Sequence, residues 1–358
     1  MDQLASLLQT YTAIPAPSGH EEALGDRVAA DWSAYGPVQR DPLGNRWLTL
    51  GAGDRHIAII AHLDEVGFVV RKVEPDGFLR IHRLGGLPER VLPMQQMLVL
   101  GRHGPVTGVI GAKSHHYTPQ EERYRVLTTE ELYLDIGASS AAEVRTTHGI
   151  DVGAFGVYAR TFRRQGDLVF ANALDDRVGL AVLSVLAGRL AANPPPLRVT
   201  LVASVQEEFT LRGVLPAIRT LDPDLILSVD ITPACDTPDL KQRADLALGG
   251  GPALTRYSFH SRGTLGGVIP PGWLVERVEA IADKAEIRWQ PATFFGGLTD
   301  ASFAQLEGRG APALDVGIPA RYTHMPVEVC SLRDVLRACD LLDSCVRYVL
   351  TPTDEENG

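Results

Sequence analysis

The chain lacks three signatures that would settle its class at once. It has no His-Glu-x-x-His, no Gly-x-Ser-x-Gly and no Gly-x-x-x-x-Gly-Lys-Ser/Thr, which removes several hydrolase and nucleotide-binding classes. Cysteine is scarce. Cys235, Cys330, Cys339 and Cys345 are the four present; none forms a Cys-x-x-Cys pair, and reduced cytosolic thiols are the expectation. No apolar run approaches the ~18 residues of a membrane span. Met1-Asp2-Gln3-Leu4 has neither the basic nor the apolar region of a signal peptide, so the expected location is the cytoplasm. Positive charge is in deficit: 34 Lys and Arg against 44 Asp and Glu give 34 − 44 = −10. That balance argues against nucleic acid or an anionic membrane as a partner. There are no repeats and no low-complexity segments.

What is present is an ordinary globular composition, 45% apolar and 22% charged over 358 residues. The length suits one large domain plus a smaller one. Pro15-Ala16-Pro17 stops a short first helix, and Ser18 with Glu21 reads as a capping box opening a helix towards Tyr35. Residues 47–50 and the wholly apolar 57–61 read as strands, the second buried on both faces. From about Phe68 to about Thr161 the helical period fades into short strands broken by Gly and Pro, as at 77–81, 97–100 and 108–111. This is the pattern of a small β domain at 69–161 inserted into an α/β domain formed by 1–68 and 162–358. The polar stretch 120–125 reads as a mobile loop. Helical spacing returns from Asp175 to Leu190 and ends before Pro194-Pro195-Pro196. Strands at 197–205 and 225–229 with a helix between them form a βαβ unit, so the sheet is expected to be largely parallel, with helices on its faces. A second capping box, Ser331 and Asp334, opens the last helix, and the tail after Pro352 is polar. Gly249-Gly250-Gly251-Pro252 reads as a turn.

Five segments carry residues able to hold metal: Ala61-His62-Leu63-Asp64-Glu65, Asp175-Asp176-Arg177, Gln206-Glu207-Glu208, Ser228-Val229-Asp230 and Tyr322-Thr323-His324. Three follow apolar runs that read as buried strands, and strand ends of an open α/β sheet converge on one crevice. His62 closes such a strand, and Asp64 two residues on is placed to orient its imidazole. Asp175 and Asp176 open a helix, where an Asp serves equally as a cap; Asp175 is the stronger candidate for a bridging ligand. Glu207 and Glu208 would point to opposite sides if the strand continues, one to hold metal and one to act as general base. Asp230 ends another apolar run, and His324 supplies the second imidazole. Two imidazoles with several carboxylates point to a two-metal site and hydrolysis. His115, His116 and His148 fall in the insert and are expected at its surface.

In order along nearly the whole chain, Pro17-Ser18-Gly19-His20-Glu21-Glu22, Ala61-His62-Leu63-Asp64-Glu65-Val66-Gly67, Ala173-Leu174-Asp175-Asp176-Arg177-Val178-Gly179, Val205-Gln206-Glu207-Glu208, Asp230-Ile231-Thr232 and Arg321-Tyr322-Thr323-His324 resemble the glutamyl/deblocking, or tetrahedral, metallo-aminopeptidases. Leu132-Tyr133-Leu134-Asp135-Ile136-Gly137-Ala138-Ser139 in the insert does so too. The resemblance implies two divalent ions, zinc or cobalt with manganese as a further option. One would be held by His62, Asp175 and Asp230, the other by Asp175, Glu208 and His324. It makes Glu207 the general base and Asp64 the partner of His62. It implies a phosphorylase/hydrolase-like α/β peptidase domain with an inserted PDZ-like β-barrel for dimerisation, a dodecamer built from dimers, and peptides with a free N-terminus as substrates. Three departures bear on pocket shape. The spacing before Thr299-Asp300-Ala301 differs, Phe209-Thr210 replaces Val-Gly, and Met325 replaces a small residue. Asp300 is a candidate substrate contact. The competing reading is a dinuclear amidase or deacylase acting on small N-acyl compounds; a non-enzymatic scaffold would leave the ligand set without a use.

Overall fold

The computed structural model describes residues 1–260 and 266–350. The polar tail after Pro352 lies outside them. A twelve-stranded mixed sheet forms the larger part. Its main path runs Val38–Arg40, Arg46–Leu50, Arg198–Ser204, His56–His62, Leu225–Pro233, Ala313–Arg321, Glu328–Ser331, Leu168–Ala171, Phe162–Gln165. The four strands from Arg198–Ser204 to Ala313–Arg321 are mutually parallel. The flanks are antiparallel, as at Val38–Arg40 with Arg46–Leu50, where the intervening loop is too short for a crossover.

The central strand His56–His62 is buried at every position. Ile57, Ile59 and Ala61 face one apolar cluster, and Ala58 and Ile60 face another on the opposite side. The period of two thus assigns alternate residues to two layers. The first layer holds Leu174–Ala192, the amino-terminal helices Asp2–Thr12 and Glu22–Trp32, and the carboxyl-terminal Leu332–Tyr348. The second holds Leu215–Leu221 and Ala301–Ala304. Helices therefore cover both faces, as a parallel centre requires.

A six-stranded antiparallel barrel interrupts this domain. Around its circumference lie Gly67–Val73, Leu79–Leu84, Leu134–Asp135, Gly104–Ile110, Gln96–Gly101 and Phe155–Tyr158. It has an apolar core of its own, including Phe68, Ile81 and Met97. Phe162 is already back in the large sheet. At the junction Glu65 accepts two hydrogen bonds from Arg160, at 2.7 and 2.6 Å, and one from the wholly buried Arg177 at 2.8 Å. Arg177 also donates to the Leu63 and Asp64 carbonyls. Charge-assisted pairing thus ties the barrel's entry and exit to the segment that carries His62.

Several local expectations change. Ser18 does not cap a helix: Glu22–Trp32 starts after Glu21, and the Ser18 hydroxyl donates to the Asp64 carboxylate at 2.5 Å. A buried carboxylate needs donors more than an exposed helix end does. Ser331 does cap Leu332–Tyr348, but Asp334 accepts from the amides of Gly249 and Gly251, which fixes that glycine turn. The stretch 120–125 contains a 3-10 turn, Gln120–Glu122.

Candidate metal centre

His62 is the last residue of the central strand, and its side chain is 3% exposed. Its Nδ1 lies 3.1 Å from the Asp64 carbonyl oxygen. A carbonyl only accepts, so Nδ1 carries a proton and Nε2 is the nitrogen left to a metal ion. Nε2 faces Asp175 Oδ1 at 3.1 Å, with Glu207 Oε2 and Asp230 Oδ1 each at 3.9 Å. His324 repeats the arrangement. Its Nδ1 is 3.3 Å from the Gly86 carbonyl, and its Nε2 is 3.3 Å from Asp175 Oδ2 and 3.2 Å from Glu208 Oε2. The two oxygens of Asp175 therefore serve one imidazole each.

Local chain geometry explains this division. Asp175 and Asp176 sit at the start of Leu174–Ala192 but keep non-helical backbone angles. Asp176 is the cap, accepting from the Gly179 amide at 2.9 Å, which leaves Asp175 to face the histidines. Glu207 and Glu208 are not on a strand. Arg198–Ser204 has ended, Gln206 is left-handed at φ 60°, and Glu207 opens the single turn Glu207–Thr210. The expectation of opposite strand faces is replaced by the stagger of a helical turn, which sends Glu207 towards His62 and Glu208 towards His324. Asp64 holds that turn, accepting from the amides of Glu207 and Glu208 at 2.9 and 3.1 Å. Its carboxylate is 3.5 Å from His62 Nδ1, farther than its own carbonyl. Asp230 lies within Leu225–Pro233 rather than at its end.

The sequence pattern did not single out Glu328. It is buried and accepts from the amides of Asp175 at 3.1 Å and His324 at 2.7 Å, bracing both segments. A lone Glu in the apolar run Val327-Glu328-Val329-Cys330 was the available signal. Asp300 is also buried, behind the site rather than at its surface. The Ser204 hydroxyl donates to it, its other oxygen has no partner, and burial with the Asp64 charge raises its carboxyl to about 6. Phe209 is exposed; His115 and His116 are exposed and His148 half-buried in the barrel.

Electrostatics make this a site short of positive charge. Burial drives the carboxyls of Glu207 and Asp230 well above their ordinary range, and neighbouring carboxylates add to it. Burial acts to raise Asp175 too, but His324 and His62 hold it below. Both imidazoles are raised by the carboxylates around them, against the effect of burial. Buried carboxylates in this number need cations. Two groups offer ligand atoms within 4.8 Å of one another: His62, Asp175 and Asp230, and Asp175, Glu208 and His324. Glu208 Oε1 is buried without a hydrogen-bond partner. Imidazole lone pairs with carboxylate oxygens suit a transition-type divalent ion. Beside the cluster opens a cavity of about 620 Å³ walled in part by Ile231, Pro233, Phe294, Phe295 and Leu298.

The sequence pattern described as M42 glutamyl aminopeptidase matches residues 44–341. This chain belongs to the M42 aminopeptidase family. Lysyl aminopeptidase of Pyrococcus furiosus is 30% identical over 336 residues, covering 92% of each chain. The aminopeptidase APDkam598 of the archaeon Desulfurococcus kamchatkensis superposes with a TM-score of 0.90 at 35% identity, over 97% of this chain and 95% of that one. The Pyrococcus horikoshii TET1 peptidase, described as assembling into a tetrahedron or a large octahedral shell, gives 0.85 at 27% identity over 96% and 99%. As an M42 member, the protein is a metal-dependent aminopeptidase that hydrolyses peptides. Among the described residues no helix is long and apolar enough to cross a membrane.

Proposed function

We propose that this M42 aminopeptidase works with two divalent cations that share Asp175. His62 and Asp230 complete one set of ligands, and Glu208 and His324 the other. Zinc or cobalt suits these donors, as does manganese. Such a pair, when bound, supplies Lewis-acid polarisation of the scissile carbonyl and lowers the pKa of water. Glu207 is the general base. The observation that carries this role is its position: it shares the cavity with both ligand groups yet belongs to neither. Its carboxylate takes the proton of the attacking water and delivers it to the departing amine. Asp64, through the amide of Glu207, holds that carboxylate in place. The free α-ammonium of the substrate meets a region rich in carboxylates, and its side chain meets Ile231, Phe294, Phe295 and Leu298. That apolar wall suits an apolar N-terminal residue. We place the protein in the cytoplasm as a dodecamer built from barrel-mediated dimers; the assembly of the TET1 relative into closed shells supports a large oligomer.

Turnover on p-nitroanilides of Leu, Glu and Lys, and of N-acetyl-Leu, after chelation and return of zinc, cobalt or manganese, tests the reading. Metal should restore cleavage of the free-amine substrates, Leu foremost. Cleavage of the blocked substrate alone would assign the site to a deacylase.

A further inference from the structure

The two imidazoles take their orienting carbonyls from different sources. His62 uses Asp64, two residues along its own chain. His324 uses Gly86, 238 residues away and part of the inserted barrel, just past the strand Leu79–Leu84. A Cβ built on Gly86 would lie 2.5 Å from His324 Nδ1 and 2.8 Å from Cε1. Its three nearest atoms all belong to that ring. The neighbouring Gly85, at φ +75°, packs on Glu208 in the same way: a Cβ there would lie 3.0 Å from the Glu208 carbonyl.

We propose that Gly86 is a positioning residue through which the inserted barrel completes the His324–Glu208 half of the metal centre. Its carbonyl accepts the Nδ1 proton and so aims Nε2 at Asp175 and Glu208. Its missing side chain lets the ring stand there. Orienting partners of this kind govern both the tautomer and the basicity of a ligating histidine. Because the atoms in the way are the end of one side chain, a methyl group at position 86 turns the imidazole aside and leaves the barrel intact. The His62 half, oriented by its own segment, does not register the change. This inference rests on the two-cation reading above.

The test is a zinc titration of the chelated full-length protein, repeated with cobalt, on the parent, Gly86→Ala, His324→Ala, the double variant and Gly272→Ala. Gly272 is the control, because a Cβ there meets nothing within 4 Å. The parent and Gly272→Ala should bind two ions per subunit. Gly86→Ala should bind the first ion like the parent and the second about 10–100-fold more weakly, with an unchanged apo melting curve. Gly86→Ala should add nothing in the His324→Ala background, since residues acting through one group are not additive. Two ions bound with parental affinity by Gly86→Ala, additive effects, or a Gly86→Ala chain that fails to fold would overturn the proposal. Fewer than two ions on the parent would overturn the two-cation reading itself.

Discussion

The two candidate ligand groups share Asp175 but are built differently. The His62 half stands on parallel strands in the middle of the sheet, and its imidazole is 3% exposed. The His324 half stands on a loop and a one-turn helix, its imidazole is 29% exposed, and its backbone is left-handed at φ 64°. Strands position a ligand through the ladder that holds the whole sheet. A loop has no ladder and must borrow supports, here the Glu328 carboxylate and the Gly86 carbonyl. Rigidity at the first half is therefore a by-product of folding. At the second it depends on contacts between distant parts of the chain.

Exchanging each histidine for Ala should expose this difference most sharply. Both His62→Ala and His324→Ala should reduce turnover to background and lose a cation. His62→Ala should also weaken the apo fold more than His324→Ala does, because the imidazole of His62 lies within 4 Å of four buried carboxylate oxygens and that of His324 within 4 Å of two. Equal denaturation midpoints for the two apo variants would erase the distinction between the halves. The next effect in size belongs to Glu207, which lies on the loop-built side of the chain but points to the strand-built half. Glu207→Gln should cut kcat by about 10²–10⁴-fold with metal content unchanged. Loss of metal would make Glu207 a ligand and reopen the assignment of Glu208.

The smallest effect contrasts carboxylates that cations can neutralise with one they do not reach. Asp315 belongs to neither ligand group; burial raises its carboxyl to about 6, against the pull of the Thr299 and Ser258 hydroxyls. The folded state therefore keeps a proton that the unfolded chain releases, and stability falls as pH climbs from about 4 to 6. Two pKa units correspond to about 2–3 kcal/mol. Denaturant titrations should show Asp315→Asn gaining about that much on the parent across this window, with or without zinc. A difference independent of pH would mean that the carboxyl titrates normally.

Much of the site was legible because local pattern and burial agree. An apolar run followed by His62, or by Asp230, announces a strand in a parallel centre, and such strands all run towards one crevice, which His62 reaches as a last residue and Asp230 from within its strand. The break in helical period near Phe68 marked the barrel for a similar reason, since short strands with frequent glycines cannot maintain a 3.6-residue face. Where the reading went astray, a long-range partner outweighed a local one. Ser18 and Glu21 have the spacing of a capping box, but Asp64 takes the Ser18 hydroxyl and the Gln206 amide bonds Glu21. Glu207 and Glu208 leave the strand because Gln206 turns left-handed, and Asp64 then collects their amides. Asp300 looked available to substrate, yet Ser204 holds it beneath the sheet's end.

The residue types that could hold cations, the strands that carry them and the insertion of a β unit were determined by the sequence alone, through periodicities and motifs that operate over a few neighbours. Which oxygen of Asp175 faces which imidazole, which glutamate stands outside the ligand groups, and the service of a barrel glycine to a histidine 238 residues away were decided only by the tertiary structure. Those relations depend on the meeting of buried polar groups from separate segments, each of which must find its partner wherever the packed chain supplies one.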